Sequence, residues 1–101
     1  MRLSAHQQAT VRATVEETFG SDAQVRLFGS RVDDTKRGGD IDLLVSTTHS
    51  DVPTLMRAEI ALLTKLQMKL GEQKIDVLID YPQHKQQLPI YLAARQQGVV
   101  L

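Results

Sequence analysis

Apolar residues recur at two different periods along the chain, and the switches between the periods divide it into alternating helices and strands. Val11, Val15 and Phe19 return every fourth position, as one face of a helix does. Ahead of them Ser4-x-x-Gln7 has the form of a capping box, and Gly20 stands where a helix C-cap is wanted. Residues 23–28 form a short β-rich run, and residues 29–39 are polar and turn-like. Residues 40–45 predict a second strand. A second helix follows, capped by Ser50 or Asp51, with Pro53 in its first turn and Gly71 at its end. Leu55, Met56, Ile60, Leu63 and Leu66 mark its apolar stripe, read as core. Residues 74–79 alternate cleanly as a third strand, Asp80-Tyr81-Pro82 breaks it, and a last helix is predicted over 85–97. The apolar tail, Gly98 to Leu101, is either a terminal strand or an edge that pairs with another chain. The pattern predicts an α/β (α+β) fold: a small mixed sheet of three to four strands with helices packed on one face. No repeat or linker interrupts it, so residues 1–101 are expected to form one domain.

Composition narrows the class. With 42% hydrophobic and 24% charged residues in 101, the chain reads as an ordinary soluble domain. Twelve Lys+Arg balance twelve Asp+Glu, which argues against a coat on nucleic acid or on an anionic membrane. The absence of cysteine removes disulfide frameworks, thiolate metal sites and cysteine nucleophiles together. No apolar run approaches the ~20 residues of a membrane span, and the polar start lacks a signal-peptide core, so a cytoplasmic location is expected.

The chemistry concentrates between Leu27 and Val45. In the second predicted strand Ile41, Leu43 and Val45 share one face, while Asp40 and Asp42 share the other, ~6.6 Å apart along the strand. Two carboxylates on one face of an otherwise apolar strand repel each other, and burial penalises both. A divalent cation resolves the conflict, and hard oxygen ligands completed by water and phosphate are the usual setting for Mg²⁺. The third predicted strand repeats the pattern, with Asp76 opposite in direction to Ile75, Val77 and Ile79. If the two strands are neighbours, Asp76 joins Asp40 and Asp42, and three carboxylates suffice for two metals ~3.5–4 Å apart. Upstream, Gly29-Ser30 follows a strand, and the N–H groups and hydroxyl of such a turn can hold phosphate oxygens. Arg31, Lys36 and Arg37 would bring positive charge to a polyphosphate.

GS, a nine-residue spacer and DID with an apolar tail resemble the signature of the DNA polymerase β-like nucleotidyltransferase superfamily. Within it the chain is similar to the minimal nucleotidyltransferase (MNT) group, small domains often encoded beside HEPN-domain partners. Where many small members follow GS with Ala-Arg-Gly, this chain has Arg31-Val32-Asp33. The resemblance implies an enzyme that moves a nucleoside monophosphate, AMP from ATP before other NTPs, to a hydroxyl, with pyrophosphate leaving. By it, Gly29 and Ser30 form the phosphate-binding turn, and Asp40, Asp42 and Asp76 hold the Mg²⁺ of a two-metal site. Asp76 would also help activate the attacking hydroxyl. The acceptor it implies lies on a HEPN-type partner, with this chain as the antitoxin of a toxin–antitoxin pair.

Other readings lose ground on particular residues. His6, His49 and His84 have no metal-ligand spacing, Asp33-Asp34 lacks the pattern of a calcium loop, and neither a Walker lysine motif nor G-x-G-x-x-G occurs. Transfer to a small molecule or to RNA is an alternative, as is a non-catalytic module that holds nucleotide or partner. Four aromatic residues, Phe19, Phe28, Tyr81 and Tyr91, leave few stacking platforms for single-stranded nucleic acid. A chain this short has room for a nucleotide and metal site and little for an acceptor pocket, so the acceptor is expected on a partner; a homo-oligomer is also open.

Overall fold

A computed structural model describes residues 3–32, 40–71, 73–82 and 89–101. The first helix, α1 (Ala5–Phe19), begins at the predicted capping box: Gln7 N–H donates to Ser4 Oγ at 3.1 Å, and Ser4 N–H donates to Gln7 Oε1 at 3.0 Å. Gly20 ends it with φ 102°, its N–H donating to the Glu16 carbonyl. Strand β1 (Gln24–Phe28) follows, then a tight 3₁₀ turn over Gly29–Val32, then β2 (Ile41–Ser46). Helix α2 (Val52–Leu70) has Asp51 as N-cap, accepting from Thr54 N–H, and Gly71 as C-cap. It crosses to β3 (Ile75–Asp80), after which come α3 (Pro89–Gln97) and β4 (Val99–Val100). The strands begin one residue later than the sequence pattern predicts.

The sheet is mixed and ordered β3-β2-β1-β4. β1 runs antiparallel to β2 and to β4, while β2 and β3 run parallel, as a helical crossover between them requires. The apolar tail is therefore a terminal strand: Leu101 N–H donates to the Val25 carbonyl at 3.0 Å. Alternation sends Val25, Leu27, Ile41, Leu43 and Val45 to one face, where they meet Val11, Val15 and Phe19 of α1 and Leu55, Leu62 and Leu66 of α2. This is the mixed α+β fold expected, with α1 and α2 on one face.

Two details depart from the pattern. Met56 and Ile60, read as core, are 58% and 64% exposed, whereas Leu62 is fully buried. Helix α2 carries two apolar stripes, Leu55/Leu62/Leu66 and Val52/Met56/Ile60, and only the first is turned against the sheet and α1. The second departure concerns α3, which contacts β1 and β2. Its Ala94 is fully buried, as is Leu44, which shares the strand face of Asp42 and lies outside the main core cluster. That face is thus partly covered, and the carboxylates occupy its other end. Among the described residues no helix is long and apolar enough to cross a membrane.

Candidate active site

The candidate site forms at the end of the sheet where β1 finishes and β2 and β3 begin. Phe28, the last residue of β1, is paired with Asp42 in β2, so the next residue, Gly29, turns directly over the Asp42 side chain. Gly29 has φ 79°, and a β-carbon there would overlap the Asp42 carboxylate. Glycine is thus required twice, by a backbone conformation that L side chains avoid and by the close approach of a carboxylate. Residues thirteen positions apart in the sequence are in direct contact in the fold.

The parallel pairing of β2 and β3 is in register at Asp42 and Asp76. Neighbouring strands lie about 4.8 Å apart, so the two acids stand side by side on one face. Asp42 is half-buried and Asp76 exposed. Burial, the Asp76 charge and the Asp40 charge together hold the Asp42 carboxyl above its ordinary range, with Lys74 pulling the other way. Asp40 stands just ahead of β2, and Lys74 Nζ lies 3.5 Å from its Oδ2. Both side chains of this pair are largely in water, so it adds little to stability and leaves the carboxylate available.

Arg31, in the turn after β1, donates from Nη2 to Gln73 Oε1 at 3.4 Å, just ahead of β3. This carries the turn across to the strand that holds Asp76. Ser30 lies in the same turn by its backbone. Lys36 and Arg37 lie outside the described residues. The structure therefore brings together Gly29, Ser30, Arg31, Asp40, Asp42 and Asp76. Lys74 belongs with them and was not singled out by the sequence pattern. Its signal was present in the third predicted strand, where Lys74 precedes Asp76 by two, but only the parallel register puts it beside Asp40. Among the described residues no three acidic or histidine side chains converge closely enough to hold a metal by themselves.

Chemically, the arrangement offers a glycine turn next to a row of hard oxygen donors, with cationic side chains at its rim. No curated protein matches the chain. The family model for a nucleotidyltransferase domain matches residues 9–70, a segment that contains Gly29, Ser30, Asp40 and Asp42 and stops short of Asp76. With more than half its length matched, the chain belongs to the nucleotidyltransferase domain family, and its activity class is nucleotidyl transfer.

Proposed function

We propose that this domain transfers a nucleoside monophosphate from an NTP, ATP in the first place, to a hydroxyl acceptor, using Mg²⁺ held at Asp40, Asp42 and Asp76. The observation that carries the reading is the contact of Gly29 with Asp42, beside the in-register Asp76. The donor set suits a hard divalent cation. Three like charges on two adjacent strand starts are mutually unfavourable, as the raised Asp42 carboxyl indicates, and a cation reverses the sign of that interaction. Because the carboxylates do not converge alone, water and substrate phosphate oxygens would complete the coordination, which is how Mg²⁺ is commonly bound. When bound, the metal supplies charge neutralisation at the triphosphate and lowers the barrier to displacement.

The protein groups divide the remaining work. The Gly29 turn and Ser30 grip the β- and γ-phosphates, with Arg31, Lys36 and Arg37 neutralising their charge. Asp76 takes the proton of the acceptor hydroxyl as its oxygen bonds to the α-phosphorus. The bond from that phosphorus to the bridging oxygen breaks, and pyrophosphate leaves. Positioning and electrostatics then account for most of the rate. The acceptor on a HEPN-type partner and the antitoxin role rest on the resemblance to minimal nucleotidyltransferases alone, and a cytoplasmic setting rests on the sequence pattern. The test is incubation with Mg²⁺ and each α-labelled NTP, with and without a HEPN-type protein, read by label transfer and intact mass. Transfer that depends on Mg²⁺ and is lost in Asp42→Asn is expected. Undiminished transfer by Asp42→Asn would refute the assignment, and labelling of a small molecule or RNA instead would move the acceptor.

A further inference from the structure

Among the described residues strand β3 pairs with another strand on one side only. The Lys74 carbonyl accepts from Ile41 N–H and the Asp80 carbonyl from Thr47 N–H, both at 3.0 Å. Residues 74, 76, 78 and 80 therefore turn their backbone polar groups toward β2, and the alternate residues Ile75, Val77 and Ile79 direct theirs away. Among the described residues no strand pairs with that outer side. An edge of this kind is a ready template for another strand.

The face beside it is incompletely closed. Val77 and Ile79 are only half-buried, although they lie on the core side of the sheet. A cavity of about 260 Å³ opens there, lined by Val52, Met56, Glu59, Val77, Ile79 and Tyr91 among others. That is below the ~300–1,000 Å³ of small-molecule pockets and suits a single large side chain. The second apolar stripe of α2 extends its wall, with Val52, Met56 and Ile60 exposed by 46%, 58% and 64%.

The charges around the edge are mainly acidic. Glu59 lines the cavity, and Asp76 and Asp80 lie on the opposite face of β3. Of the cations nearby, Arg95 lies 3.8 Å from Asp80 and Lys74 lies against Asp40. Burial, then Tyr81, Asp80 and Glu59, push the Tyr91 phenol up.

We propose that the outer edge of β3 docks an extended segment of a partner protein as an added strand, one whose apolar side chains alternate with Lys or Arg. Strand alternation makes the pattern specific. Side chains on one face of the added strand enter the cavity between α2 and β3, and those on the other face lie beside Asp76 and Asp80. A second copy of this chain fits less well, because pairing through the same edge would bring its own two aspartates onto an already acidic face.

The test needs no nucleotide, so it stands apart from the transfer reaction. The probes are three synthetic peptides of one length: alternating Val and Lys with a central Phe, the same with Glu for Lys, and the Lys form N-methylated at alternate residues. Hydrogen exchange on the full chain follows the amides of Ile75, Val77 and Ile79, and anisotropy of labelled peptide follows affinity. The Lys peptide is expected to slow exchange at those three amides and to bind at least about tenfold tighter than the Glu peptide, a gap of ~1.4 kcal/mol. The N-methylated form is expected not to bind. Val77→Pro removes an outward N–H without touching the β2 ladder, and Met56→Lys charges an exposed position at the cavity; each is expected to weaken binding about tenfold. Equal binding of Lys and Glu peptides would overturn the proposal. So would unchanged affinity in a folded Met56→Lys variant, or protection of the three amides in the protein alone with a dimer in sedimentation.

Discussion

Gly29→Ala tests whether the glycine turn and the Asp42 carboxylate are in contact as described. Two separate costs are expected. The first is conformational: φ 79° lies in the left-handed region, where a side chain costs about 1–2 kcal/mol. The second is steric, because the new methyl group overlaps the Asp42 carboxylate. Asp42 must leave its rotamer, at about 0.5–1.5 kcal/mol, and its movement is hemmed in by the charges of Asp40 and Asp76. The sum is about 1.5–3.5 kcal/mol, and a domain of this size loses roughly 4–8 °C of Tm per kcal/mol. In an Asp42→Ala background the conformational cost remains and the steric one vanishes. A double-mutant cycle by urea unfolding, followed by far-UV circular dichroism, should therefore show a coupling of about 1 kcal/mol. The same loss from Gly29→Ala in both backgrounds, within about 0.3 kcal/mol, would refute the contact.

Other outcomes follow from the same geometry. Asp42 is held above its ordinary range in the folded state, so the native protein binds that proton more tightly than the unfolded chain does. Metal-free stability should then fall as pH rises from the ordinary carboxylate range through the raised value. Asp42→Asn should remove that fall and add up to about 1 kcal/mol at neutral pH. Thermal melts between acid and neutral pH decide this, and a lower neutral melting point for Asp42→Asn would contradict it. Leu62→Ala, at a fully buried position, should cost about 2–5 kcal/mol, whereas Met56→Ala on the outward stripe should change stability by less than about 0.5 kcal/mol. Asp51→Ala should cost about 1 kcal/mol through loss of the α2 cap, measurable in the same denaturation assay.

Most of the fold was legible because its signals are local. The Ser4/Gln7 capping box, the two helix-ending glycines Gly20 and Gly71, and the period-two runs around Asp42 and Asp76 need only neighbouring residues to be read. The candidate site was legible for a related reason, since the glycine-serine turn and the alternating aspartates are local patterns whose order resembles a known family signature. What escaped depends on packing. Met56 and Ile60 are as apolar as Leu62, and only the docking of α2 on the sheet decides which stripe is buried. Lys74 joins the site through the register of a parallel pair, which no local pattern encodes. The burial of Leu44 and Ala94, away from the main core, likewise depends on where α3 comes to rest.

The register of β3 against β2 sets a rule for how this gene can change. Asp76 stands beside Asp42 only because β3 pairs with β2 in one phase, with Ile75 inward and Asp76 outward. A slip of one residue in that pairing would exchange the two faces of β3, sending a carboxylate into the core and isoleucine toward the triphosphate. Changes of two residues would preserve the alternation and shift only the level of the acid along the strand. Shifts of that register should therefore be tolerated in even steps and rejected in odd ones, a parity constraint written by two hydrogen-bonded aspartate-bearing strands.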